Sequence, residues 1–205
     1  KMTASAPDHS LYSTRYQTTL RGLLTFELKS FVGRLFLNKR PPVINSSANL
    51  LHLGCGNRLL EGWVNADFFR LKLRRTRGSL WMLDLRYPLK CDNDHWDGAF
   101  AQHVLEHLYP TDTRNLLKEL LRTLKTGAWL RICVPDLRKY VDYYVGRPSP
   151  EESSQWSTGA EALRALTQNW GHRSVWDSQL LGLTLEQIGF ANVQEVAFGE
   201  GTDDR

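Results

Sequence analysis

The feature that most constrains this chain is an alternation. Short apolar runs near residues 49–53, 63–67, 80–85, 96–101 and 128–134 are separated by turn residues or by stretches of helical periodicity. Near-continuous apolar strands belong to sheets covered on both faces, and strand–helix alternation calls for parallel crossovers. The expected fold is therefore α/β: a Rossmann-like doubly wound sheet, mostly parallel, with helices on both faces. A further strand is expected at 193–198. Ligands of such sheets gather beyond the strands' C-terminal ends. Here those ends carry Gly54-Cys55-Gly56, Asp67, Asp84 and Gln102-His103 in turn.

The clearest helix follows the fourth strand. Pro110-Thr111-Asp112 forms its start, Leu116, Leu117, Leu120, Leu121 and Leu124 its stripe, and Gly127 its stop. Shorter helices are expected at 137–144 and 159–167, and a last one capped by Asp177 and ended by Gly189. The first crossover, 54–62, leaves room for little more than one helical turn. Ahead of the sheet, Leu20, Leu24, Leu28, Phe31 and Leu35 repeat every three or four residues until Pro41-Pro42. Residues 1–42 thus read as an arm and amphipathic helix, and 43–205 as the main domain. The helix suits a cap on that domain or a dimer contact. With Arg21, Lys29 and Arg34 beside the stripe, it also suits peripheral attachment to an anionic membrane. The basic run 70–77 reads as a solvated face.

Bulk properties narrow the classes. At 205 residues, 41% hydrophobic and 23% charged, the chain can bury an ordinary core. A net charge of +4 is too modest for a dedicated nucleic-acid binder. Cys55, Cys91 and Cys133 lack metal-ligand spacing and read as reduced thiols in a cytoplasmic protein. No apolar run reaches membrane-spanning length.

The ordered set Leu51-His52-Leu53-Gly54-Cys55-Gly56, Asp67, Leu83-Asp84-Leu85, Trp96 to Phe100, Val104 to Leu108, Leu124 to Leu130 and Gly189-Phe190 resembles the class I S-adenosylmethionine-dependent methyltransferases. The resemblance implies S-adenosylmethionine as cofactor and makes 43–205 the methyltransferase domain. It implies a cofactor site of Leu53, Gly54, Cys55, Gly56, Asn57, Asp67, Phe68, Asp84, Leu85, Gln102 and His103. Backbone at Gly54 to Gly56 would pass under the methionine and ribose. Asp67 would accept from the ribose hydroxyls, and Asp84 or the Leu85 N–H would meet the adenine edge. Gln102 and His103 would border the transferred methyl. His103 and His172 are the candidate bases, the latter in a segment able to fold over the pocket. Asn57 or Arg58 stands where the family's third glycine is usual, and few residues follow Phe198 for its final antiparallel strand.

The resemblance is closest to small bacterial-type predicted methyltransferases, which implies O-methylation of a sugar, glycan or other small polar molecule; no Asn-Pro-Pro-Tyr element follows the fourth strand, which disfavours amino methylation of nucleic acid. Two other readings compete. One is a non-catalytic module that binds cofactor or partners. The other is a zinc hydrolase built on His103, Glu106 and His107, which match H-x-x-E-H. No metal ligands are assigned, because Pro110 cuts that helix short.

Overall fold

The computed structural model describes residues 19–69, 79–147, 156–197 and 200. Five strands, β1 (Leu50–Leu53), β2 (Val64–Asp67), β3 (Leu80–Met82), β4 (Trp96–Gln102) and β5 (Leu124–Cys133), form one sheet. Their order is β3-β2-β1-β4-β5 and every pair is parallel. The strand order reverses between β1 and β4, which opens a crevice at their C-terminal ends. The helices are α1 (Leu20–Phe36), α2 (Pro110–Thr123), α3 (Leu137–Tyr144), α4 (Gly159–Gln168) and α5 (Ser178–Ile188). The fold is the expected α/β Rossmann-like one, with the N-terminal helix in place. The basic run 70–77 and the arm at 1–18 lie outside the described residues.

All four residues of β1 are buried. His52 is accommodated there because its Nδ1 lies 3.1 Å from Asn65 Oδ1 and its ring stacks on Phe100. Asn65 is also why the first crossover needs no helix. Its Oδ1 accepts from Leu60 N–H at 2.9 Å, and its Nδ2 donates to the Leu60 and Trp63 carbonyls at 2.9 and 3.0 Å. One buried amide thus satisfies the backbone that a helix would otherwise satisfy. The single helical turn expected there is replaced by these turns.

Helix α2 starts with Pro110 at its first turn and buries Leu116, Leu117 and Leu120 against the sheet core. It stops at Thr123, so β5 begins at Leu124, ahead of the expected strand start. Asp136, Thr158 and Asp177 cap α3, α4 and α5 through their side-chain oxygens.

Two further expectations fail. Residues 193–197 form no strand. Helix α1 does not cap the domain with its apolar stripe. It meets the domain through Phe26, Ser30, Gly33 and Arg34, with the Phe69 ring packed against Gly33. Leu20, Leu24, Leu28, Phe31 and Leu35 face outward at 56–73% exposure.

Candidate active site

The crevice is built from the strand ends. After β1, Gly54 and Gly56 adopt positive φ of 61° and 54°. A Cβ on Gly54 would lie 2.5 Å from Val104 Cγ2, so glycine is required there by packing as well as by conformation. A Cβ on Gly56 would meet nothing nearer than the Gly54 carbonyl at 4.0 Å, so bare backbone at Gly56 borders open space. The Cys55 N–H donates to the Ala66 carbonyl at 3.0 Å, which brings this turn beside the end of β2. There Asp67 Oδ1 accepts from the Phe68 N–H at 2.7 Å, and Asp67 Oδ2 lies 3.9 Å from Cys55 Sγ. Across the crevice, Gln102 Oε1 accepts from Arg58 Nη1 at 3.5 Å, linking the end of β4 to the same turn. Gly54, Cys55, Gly56, Asp67 and Gln102 therefore converge. Leu53 is fully buried beneath them.

Asp84 stands apart from that group. It is buried, and both carboxylate oxygens are occupied. Oδ2 accepts from Ser30 Oγ of α1 at 2.6 Å and from Arg86 Nη2 at 2.7 Å, and Oδ1 from the Arg86 backbone N–H at 3.0 Å. Arg86 continues to Glu27 at 2.6 Å. Burial alone would push the Asp84 carboxyl up, but the bonds from Arg86 and Ser30 outweigh it and hold the group below its ordinary value. Phe68 is likewise engaged with α1, stacked on Phe26 at 4.5 Å.

On the acceptor side, His103 takes a positive φ of 53° directly after β4. Its Nδ1 lies 3.0 Å from Glu106 Oε1, and that bond raises its proton affinity against the opposing effect of burial. Residues Leu105–His107 form one 3-10 turn, so H-x-x-E-H does not lie on a regular helix and His103 falls outside it. The pattern required of a zinc-peptidase helix is therefore missing. His172 enters from the segment after α4. The Arg173 and Ser174 N–H groups donate to the Glu106 carbonyl at 2.7 and 3.2 Å, and Ser174 Oγ donates to the Leu105 carbonyl at 3.0 Å. The two candidate bases are thus joined through one turn, with His107 and His172 rings 5.0 Å apart. Sequence reasoning placed Glu106 only in the zinc pattern. Its spacing of three from His103 was the signal for a carboxylate that orients an imidazole.

A family model described as a methyltransferase domain matches residues 25–195, most of the chain. The chain belongs to the methyltransferase-domain family. It is a class I, S-adenosylmethionine-dependent methyltransferase, and S-adenosylmethionine is its cofactor. Among solved structures, a SAM dependent methyltransferase from Archaeoglobus fulgidus shares 17% identity. It superposes with a TM-score of 0.51, over 87% of this chain and 72% of its own. The complex of the Trm112 methyltransferase activator with a methyltransferase from Haloferax volcanii shares 15% identity over 82% and 71% of the two chains, at a TM-score of 0.46. No curated protein matches the chain. These likenesses concern the fold. The methyltransferase's own residues decide whether its crevice fits the cofactor. Open space over Gly56 and a carboxylate at Asp67 suit a ribose and a methionine tail, while the occupied Asp84 carboxylate does not suit an adenine edge.

Proposed function

We propose that the methyltransferase transfers a methyl group to a hydroxyl of a sugar, glycan or other small polar molecule. The supporting observation is the pairing of His103 with buried Glu106 at the end of β4, across the crevice from the glycine turn. The cofactor supplies a methyl on a sulfonium that is already electrophilic, so the protein must align the acceptor and take its proton. An alcohol needs that base, and a histidine oriented by a carboxylate supplies it. His172 stands behind this pair as part of the segment that covers the turn.

In this reading Leu53, Gly54, Cys55, Gly56 and Asn57 form the cofactor floor, Asp67 accepts from the ribose hydroxyls, and Gln102 and His103 flank the methyl. Phe68 and the Leu85 N–H meet the adenine in place of the Asp84 carboxylate. Thermal melting tests the site. The product S-adenosylhomocysteine raises the melting temperature of the wild type by mass action, and Asp67→Ala removes most of that rise. An unchanged melting curve in folded wild-type protein sinks the reading.

The partner expected at α1 is an anionic lipid surface. Eight large apolar residues of α1 are exposed, the five of the stripe among them, each able to gain about 1.5–3 kcal/mol on full burial. Beside that face stand the exposed cations Arg21, Lys29 and Lys39, while Arg34 packs over Tyr87 and Arg40 pairs with Asp92. Among the described residues no helix is long and apolar enough to cross a membrane, so the contact is peripheral. Three free cysteines support a reducing, cytoplasmic setting. The division at residues 42 and 43 separates this docking helix from the methyltransferase domain.

A further inference from the structure

Glu106 is 1% exposed, and only one of its carboxylate oxygens is accounted for. Oε1 meets His103 Nδ1, whereas Oε2 is buried with no hydrogen-bond partner. Leaving such an oxygen unsatisfied carries its full desolvation penalty, which is larger when it bears charge. A compensating group is therefore called for at Oε2.

Two imidazoles lie close to this carboxylate. Ligand atoms of Glu106, His107 and His172 all lie within 4.8 Å of one another. Each histidine is already held by the backbone. His172 Nδ1 donates to the Leu166 carbonyl at 2.6 Å, so Nε2 is the ring nitrogen left to face a ligand. The His107 ring packs edge-on to the His172 ring at 5.0 Å and is engaged by the Gly171 backbone. Metal-bound histidines are characteristically fixed in this way, their second nitrogen donating to a carbonyl or carboxylate. The backbone bonds from Arg173 and Ser174 to Glu106 hold the two segments together, so the cluster is built by the fold and does not depend on surface rotamers.

We infer that Glu106, His107 and His172 form a binding site for a divalent transition-metal ion, zinc by preference. One carboxylate and two imidazoles are a donor set suited to zinc, and three protein ligands leave a fourth position open for water or an oxygen ligand. This set differs from the H-x-x-E-H one. His103 is not a ligand; it binds the other oxygen of Glu106. The site departs from the expectation that the chain carries no metal ligands, because His172 lies 65 positions beyond His107 and only the fold delivers it.

The test is a calorimetric titration of the untagged, metal-stripped full chain with zinc, beside a visible-absorption titration with cobalt. One equivalent of zinc should bind and raise the melting temperature, and cobalt should give the intense bands of a four-coordinate site. His107→Ala and His172→Ala should each weaken zinc binding by on the order of a hundredfold. Absence of stoichiometric zinc and cobalt binding by the wild type overturns the inference whether or not the variants fold. Undiminished binding by both folded variants overturns it as well, by placing the metal elsewhere. None of these readouts requires S-adenosylmethionine or an acceptor, so this inference can fail while the methyl-transfer reading stands, and the reverse.

Discussion

Gly54 and Gly56 share a left-handed conformation but not a neighbourhood, and their substitutions should separate stability from binding. Alanine at Gly54 bears about 1–2 kcal/mol for the positive φ. It adds about 1–3 kcal/mol of overpacking, because its Cβ would meet Val104. Alanine at Gly56 bears only the conformational cost, because the space before it is open. Urea unfolding should rank Gly54→Ala well below Gly56→Ala, while calorimetry with S-adenosylhomocysteine should show Gly56→Ala weakened out of proportion to its stability. Equal stabilities would show that Val104 yields easily. His103 offers a kinetic counterpart. If it removes the acceptor's proton, His103→Gln should lower kcat by roughly a hundredfold or more with little change in cofactor affinity. A variant that keeps full kcat would deny it the role of base.

Among the elements, α1 is built unlike the others. Its outward face is apolar, and its inward face places Ser30 and Glu27 on the Asp84–Arg86 pair. Vesicle co-sedimentation should therefore show binding to phosphatidylglycerol-containing membranes and little to pure phosphatidylcholine, with Leu24→Glu and Leu28→Glu together abolishing it. Were the stripe a dimer seam instead, those changes would convert a dimer to a monomer, and wild-type protein would ignore the vesicles. The inward contacts carry a pH signature. Asp84 has its folded pKa depressed, so its contribution to stability is present above about pH 4, the unfolded value, and is lost as pH falls through the folded one. Asp84→Asn should destabilise at neutral pH and flatten the acid limb of a stability–pH curve. An acid limb identical to the wild type's would show that other carboxylates govern it.

Over the whole molecule, much of the architecture was legible in the chain. Strand runs at the future β1, β2 and β4 are short and apolar, and α2 to α5 carry caps at Asp136, Thr158 and Asp177 or a proline start at Pro110. Such signals are local and survive without tertiary context. The glycine turn and Asp67 were legible for the same reason, as they sit at the ends of adjacent runs. The illegible parts are those where one side chain serves a distant backbone. Asn65 replaces a crossover helix, and Arg86 with Ser30 takes the Asp84 carboxylate that its position at a strand end had offered to a ligand. The direction of α1 was hidden because periodicity defines a stripe without saying what lies against it. By itself, the sequence determined the parallel α/β sheet, the S-adenosylmethionine family and the crevice at the strand ends, because period and punctuation are written residue by residue. The tertiary structure alone decided which groups are already occupied, which way α1 faces, and that His172 meets Glu106 and His107. Those outcomes depend on contacts between residues far apart in the chain.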